Sequence, residues 1–278
     1  MASITDCVVE GLKYPFNDIK KLLGFGVLFA LISAISTFIG FVSIDIFRAT
    51  MHMVEMTNTT ASQLSFSQLP LGDIYLVTVL GVVGFIITLF IMGYQYDIVK
   101  FSIDKKEDFP GFRDVKNIFI KGIKYLLVSL AYNIIPILFL VGGVTLVHDS
   151  SILLIIIAIS MLLFIIAYFL LIMALNNMVA YDSIKKAFDF NEIMDNISNL
   201  GWGKYIGIIL FTIIVMMIIS VAVGFILSLI TVGFAETINN QALIVSVVIA
   251  IIEGLFLDSY MSVFFNRVCG SIYRESIK

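Results

Sequence analysis

Two carboxylic acids and one amide lie inside long apolar stretches of this sequence. Glu253 stands near the middle of the apolar stretch 242–265, and Asp258 follows about a turn and a half later. A carboxylate within a membrane costs about 2.5–3.5 kcal/mol on insertion scales and usually faces the interior of a helix bundle. Three interpretations of Glu253 stay open: a protonated carboxyl group that hydrogen-bonds a neighbouring helix, a proton- or cation-linked site, or a span whose register differs from the predicted one. Asn133 shares its stretch with Pro136, which predicts a kink rather than a site.

Small residues recur every fourth position on two of the apolar stretches. Such ridges let membrane helices approach closely, and these two are predicted to pack together. Glu253 follows the first ridge residue by seven positions, so it lies on nearly the same bearing and is expected to point into the bundle. The ridges comprise Ser246, Ala250 and Gly254 on the last stretch, and Ser220, Gly224 and Ser228 on the one before it.

Other reactive residue types are sparse. The sequence contains no nucleophile–base pair, phosphate-binding loop or paired catalytic carboxylates, so we expect no enzyme and no cofactor. Cys7 and Cys269 lie near opposite ends without metal-ligand spacing, which argues against a zinc site or a disulfide. Met51-His52-Met53 has soft-metal ligands, but an amphipathic extension of the first apolar stretch is the favoured interpretation. Asn58-Thr59-Thr60 matches an N-glycosylation sequon.

The composition places these residues in a membrane. The 278 residues are 60% hydrophobic and 13% charged, whereas soluble proteins have about 45–50% apolar and roughly 25% charged residues. About 20 apolar residues cross the hydrocarbon core as a helix. The sequence therefore predicts an all-α integral membrane protein with one domain over 1–278. Its six spans are predicted at 22–44, 74–93, 125–147, 152–175, 205–233 and 242–265.

The basic residues fix a predicted orientation. Of the 17 lysines and arginines, only Arg48 falls on the side that carries segment 45–73. Cytoplasmic loops carry the excess of lysine and arginine, so both termini are expected in the cytoplasm and the protein in the cell membrane. No basic tract with interleaved aromatic residues is present, so we expect no nucleic-acid partner.

A short phrase precedes every second span. It consists of phenylalanine, any residue, an acid and then a β-branched residue. Similar tyrosine-containing phrases follow the even-numbered spans at Tyr96-Asp97, Tyr181-Asp182 and Tyr273-Arg274. This self-similarity predicts three two-helix hairpins, over 11–98, 109–184 and 187–277. The marker residues are Phe16 and Asp18, Phe112 and Asp114, and Phe190 and Glu192.

The stretch after Asp114 has an apolar stripe with lysines beside it. That pattern is typical of an amphipathic helix in the membrane interface. Each hairpin is therefore predicted to follow a cytoplasmic interfacial helix that contacts lipid headgroups. A solvated loop that only sets topology is the alternative.

Several of these phrases resemble a known family. The stretches Gly11–Asp18, Gly93-Tyr94, Phe109–Phe112 and Ile272–Glu275 look like those of the domain-of-unknown-function 4013 family of polytopic, mainly archaeal membrane proteins. The resemblance covers nearly the whole chain and implies membrane residence but no particular activity.

Two functions remain as expectations from the sequence. The first is a membrane scaffold or accessory subunit that binds lipids or a partner membrane protein. The alternative is a permease for ions or small solutes that uses Glu253. Short loops and few intramembrane charges favour the scaffold, and the six-span bundle favours the permease.

Overall fold

The computed structural model describes residues 4–57, 69–147, 149–235 and 242–278, and within these ranges the regular structure is entirely helical. The described residues form nine α-helices, two 3₁₀ turns at Tyr14–Asn17 and Ile184–Phe188, and one π-helical segment, Glu253–Asp258. The helices are α1 Ile4–Lys13, α2 Ile19–Thr57, α3 Leu71–Ile103, α4 Val115–Leu146, α5 Ser150–Tyr181, α6 Phe190–Leu200, α7 Trp202–Ala235, α8 Ala242–Ile252 and α9 Ser259–Ser276.

The prediction of six apolar spans is confirmed, because six helices are long and apolar enough to cross a membrane. They are longer than the predicted spans. The 39 residues of α2 reach about 58 Å at ~1.5 Å per residue, and the hydrocarbon core measures only ~30 Å. Hydropathy detects only the part of each helix that lies in hydrocarbon. α2 continues as a helix through Thr57, so Met51-His52-Met53 belong to a helical extension of the first apolar stretch.

The chain forms two compact units. Unit 1 contains Met1–Lys21, Met92–Met217 and Met261–Lys278, and unit 2 contains Leu22–Ile91 and Ile218–Tyr260. Unit 1 holds most of the buried core. It includes fully buried tyrosines and a run of α5 in which every residue from 172 to 179 is buried. In unit 2 the buried apolar side chains are Leu22, Phe25, Ala30, Leu89 and Ile91.

The acids of the recurring phrase begin helices. The Asp18 carboxylate accepts from the Lys21 amide at 3.1 Å, and the Asp114 carboxylate accepts from the Asn117 amide at 3.1 Å. This is the usual N-cap interaction, in which a side chain satisfies an amide that the first turn leaves free. In the third phrase the capping residue is Asp189, three positions before the predicted Glu192. The Glu192 carboxylate instead pairs with Lys186 at 2.5 Å.

The phenylalanines of the phrase have three different environments. Phe112 stacks on Tyr94 with ring centroids 4.4 Å apart. Phe190 lies 6.0 Å from the ring of Tyr132 in a tilted arrangement, and Phe16 is 63% exposed. The ring contacts of Phe112 and Phe190 therefore differ in partner and in geometry.

The prediction of an interfacial helix before each hairpin is wrong for the second hairpin. Residues 115–124 form the first turns of the continuous 32-residue helix α4, because no residue there interrupts the helical hydrogen bonding. A separate short helix, α6, begins at the third phrase and ends at Gly201, whose φ of +91° favours glycine. The first phrase follows the short helix α1 and leads directly into α2.

Candidate functional site

The intramembrane carboxylates lie at an irregularity in the sixth span. Residues Glu253–Asp258 form a π-helical segment between α8 and α9. Single π turns inside α-helices are rare and frequently occur at functional sites. The Glu253 side chain is half-buried, and the Asp258 carboxylate accepts a 3.4 Å hydrogen bond from the Ser33 hydroxyl of α2. The π segment therefore holds both candidate acids, and Asp258 contacts the first span.

Gly254 shows how closely the π segment approaches α2. A Cβ atom at this position would lie 2.7 Å from the Ala30 amide nitrogen and 2.7 Å from the Phe29 carbonyl carbon. Gly26 of α2 likewise lies against the Leu255 carbonyl. Because both contacts involve backbone atoms, only glycine fits at these two positions.

This geometry corrects the prediction that the two small-residue ridges pack together. At Gly254 the close neighbour belongs to the first span, and the other residues of that ridge, Ser246 and Ala250, are half-buried. On α7, Ser220 and Ser228 are exposed, and no described heavy atom lies within 4 Å of a Cβ built at Gly224.

The Asn133 side chain forms a hydrogen bond within its own helix. Its amide nitrogen donates to the Ser129 carbonyl at 2.8 Å, one turn earlier in α4. Pro136 is buried inside the same helix and lines an apolar cavity of about 280 Å³ together with Tyr132 and Phe188. Asn133 therefore contributes to the local hydrogen bonding of a helix that contains proline.

A second cluster surrounds a cavity of about 500 Å³ in unit 1. It was not predicted from the sequence. We call it the cationic cavity. Nine residues line it: Glu10, Lys13, Tyr14, Asn17, Lys105, Glu107, Arg267, Arg274 and Lys278. Five are basic and two acidic, which gives a net formal charge of +3. They come from α1, the first 3₁₀ turn, the α3–α4 loop and the C-terminal end of the chain.

Glu10 joins the two arginines of the cationic cavity. Its carboxylate lies 2.7 Å from an Arg267 terminal nitrogen and 2.6 Å from an Arg274 terminal nitrogen. Burial raises the pKa of Glu10, but the hydrogen bond from Arg274 and the charges of both guanidinium groups outweigh this effect and bring it below its usual value. Glu10 is thus held as an anion and fixes α1 to α9.

The arginines also contact the backbone and an aromatic ring. Arg267 donates to the Lys106 carbonyl at 2.6 Å, and its guanidinium carbon lies 4.1 Å from the centroid of the Tyr14 ring. Arg274 donates to the Ser102 carbonyl at 2.9 Å. The Nε atom of Arg274 is buried and has no hydrogen-bond partner among the described atoms.

A third cluster connects α3, α4 and the end of α5. The Lys121 ammonium lies 2.6 Å from the Asp97 carboxylate, and both side chains are less than one-fifth exposed. The Asp182 carboxylate accepts from the Tyr96 hydroxyl at 2.6 Å and from the Lys124 ammonium at 2.9 Å. These hydrogen bonds and the Lys124 charge lower the pKa of Asp182.

The tyrosine-containing phrases after the even-numbered spans contain residues of both charged clusters. Tyr96 and Asp182 meet in the third cluster, and Arg274 lies in the cationic cavity. What the sequence could not show was their partners, because Glu10 and Arg274 are separated by 264 positions.

The remaining predictions concern the sequon, the two cysteines and metal binding. The sequon at Asn58 is outside the described residues. Cys7 and Cys269 are both buried free thiols, and burial raises the pKa of Cys7 to about 11. Within the described part of the chain, no group of three His, Cys, Asp or Glu residues is arranged to hold a metal ion.

Comparison with known proteins gives a family but no activity. Residues 76–232, more than half of the chain, match the family described as "Protein of unknown function (DUF4013)". An uncharacterised protein of Methanocaldococcus jannaschii is 23% identical over 285 aligned residues, covering 97% of this chain and 95% of the relative. No solved structure matches the chain. The match over more than half of its length places the chain in the DUF4013 family, with six helices suited to crossing a membrane.

Proposed function

We propose that this protein is a non-enzymatic membrane scaffold or accessory subunit that binds lipids or a partner membrane protein. The observation that supports the proposal most directly is the set of ion pairs inside unit 1. The long helices reach past the length that hydrocarbon requires, and ion pairs join their ends: Glu10–Arg267 joins α1 to α9, and Asp97–Lys121 joins α3 to α4. We expect these ion-paired helix ends to form a rigid surface at the level of the lipid headgroups.

The proposed location is the cell membrane, with both termini in the cytoplasm. The distribution of lysine and arginine supports it. A Thr60→Cys variant tests it, because residue 60 is then exterior and a membrane-impermeant maleimide should label it in intact cells. Labelling only after the cells are opened would refute this orientation. The two native thiols are buried and give little background.

Native mass spectrometry of the protein, released from its own membrane in mild detergent, tests the scaffold. A stoichiometric second protein is the expected result and would name the partner. Retained lipid without a protein partner would support the lipid-binding form of the proposal. A bare monomer or homo-oligomer that retains neither would contradict the scaffold.

The second candidate is a permease, and the π-helical segment is the specific observation in its favour. A π-helical segment departs from regular α-helical hydrogen bonding beside Glu253, and such segments frequently occur at functional sites. The test is solute or proton flux into proteoliposomes, with Glu253→Gln beside the native protein. Flux that this substitution abolishes in a folded protein supports a permease. Loss of folded Glu253→Gln protein supports a structural carboxyl group.

A further inference from the structure

We propose that the cationic cavity binds a phosphate-bearing anion, either the headgroup of an anionic phospholipid or a free phosphate compound. This inference deepens the lipid-binding part of the proposed function and rests on it. The starting observation is the net formal charge of +3 among the nine lining residues. Arginine and lysine are the side chains that proteins use to bind phosphate oxygens.

The arrangement leaves donors for an anion after the internal pairs are satisfied. Glu10 neutralises part of the charge of Arg267 and Arg274, and it holds both guanidinium groups in place. Arg274 Nε is buried without a partner among the described atoms. Because this atom is inaccessible to solvent, the donors open to an anion are the lysine ammonium groups of the cavity.

Lysines supply the remaining positive charge. Lys13 at the end of α1 and Lys105 after α3 are exposed and line the cavity. Lys105 adopts a φ of +57°, an unusual conformation for a residue with a side chain. Lys278 also lines the cavity, where it pairs with Glu275. The cavity therefore joins a fixed pair of arginines with two exposed ammonium groups.

The position of Arg267 along its helix brings the cavity to the membrane surface. The last apolar stretch of the sequence is predicted to end at residue 265, and Arg267 follows two positions later. Beyond the hydrocarbon core lies the headgroup layer. Arg267 is therefore expected at the level where lipid phosphates are found.

The test compares two probes on the full-length protein in neutral detergent at about 0.15 M salt. Dioleoyl phosphatidylglycerol is titrated by native mass spectrometry, and inorganic phosphate is titrated by calorimetry. The cavity variant is Lys13→Gln with Lys105→Asn, since asparagine tolerates the positive φ. The matched control is Lys20→Gln with Lys116→Gln, which removes the same charge from exposed positions outside the cavity.

We expect at least about tenfold weaker binding in the cavity variant, because it loses two charged donors, and little change in the control. If the cavity variant weakens lipid binding and the control does not, the ligand is a lipid headgroup. If the same difference is seen for inorganic phosphate, the ligand is a free phosphate compound. The inference is overturned if neither probe binds, or if the control weakens binding as much. Size-exclusion elution checks folding, and Lys13→Gln alone repeats the test if the double variant does not fold.

The outcome separates this inference from the proposed function. A partner protein that co-purifies while neither probe binds leaves the scaffold and removes the anion site. Anion binding without a partner protein leaves the anion site and narrows the scaffold to lipid.

Discussion

Replacing Gly254 with alanine should destabilise the protein, whereas the same change at Gly224 should not. Both glycines belong to ridges that look equivalent in the sequence. In the structure a Cβ at 254 would lie 2.7 Å from backbone atoms of Phe29 and Ala30. At 224 no described heavy atom lies within 4 Å of the added carbon. The two substitutions therefore add the same methyl group to a closed site and to an open one.

The change in the free energy of unfolding follows from two opposing effects. Alanine is favoured over glycine in a helix interior by about 1 kcal/mol. Non-bonded carbons prefer separations of about 3.5–4.0 Å, so α2 and the π segment would have to separate by roughly 1 Å to accept a methyl group. Overpacking of this kind costs about 1–3 kcal/mol, and backbone atoms cannot rotate away. Gly224→Ala should gain up to about 1 kcal/mol of stability, and Gly254→Ala should lose up to about 2 kcal/mol.

Thermal unfolding of both variants and the native protein in one detergent measures the difference. At about 2–4 °C per kcal/mol, the two Tm values should differ by roughly 2–12 °C, with Gly254→Ala below the native protein. Equal Tm values, or a higher Tm for Gly254→Ala, would refute the reasoning. Such a result would mean that α2 and the π segment do not approach through their backbones.

Three further predictions concern the charged and reactive groups outside the hydrocarbon. Lys121→Met should destabilise the protein by about 1–3 kcal/mol, because it leaves the half-buried Asp97 without its partner, and adding Asp97→Asn should restore most of the Tm. The hydrogen bond from Tyr96 lowers the pKa of Asp182, so its stabilising effect is present above the unfolded pKa of about 3.9 and is lost as pH falls below it. Tm should thus fall more steeply below about pH 4 in the native protein than in Asp182→Asn. Cys7, whose burial raises its pKa to about 11, should react with iodoacetamide at pH 8 only after denaturation, and intact mass would show rapid modification of the folded protein if this is wrong.

Some features were predictable because the signal is local. Six spans follow from hydropathy over about 20 residues, and the capping by Asp18 and Asp114 follows from an acid directly before an apolar helical stretch. In the third phrase Glu192 lies in the first turn of α6, whereas the capping residue is Asp189, which the phrase does not include. A local pattern thus shows that a helix starts, and less reliably which residue caps it.

Other features depend on pairings that a local pattern does not contain. A ridge of small residues shows that a helix can be approached, but it does not identify the approaching helix. For this reason the sequence paired Gly254 with the wrong neighbour. The cationic cavity was missed for the same reason, because Glu10 and the two arginines come from opposite ends of the chain.

The chain holds its helices together in two ways, and each way suits a different solvent. Within hydrocarbon, burying an apolar side chain gains little, since lipid is as apolar as leucine, so close backbone packing becomes important. Unit 2 shows this through Gly26 and Gly254. Near water, apolar burial is favourable again, and ion pairs are placed where their charges cost less. In unit 1, Tyr94 and Ile193 are fully buried, and Glu10 is paired with two arginines. A methyl group added at Gly26 or Gly254 should therefore disturb the approach of α2 to the π segment, whereas loss of the Glu10 charge should disturb the contact of α1 with α9.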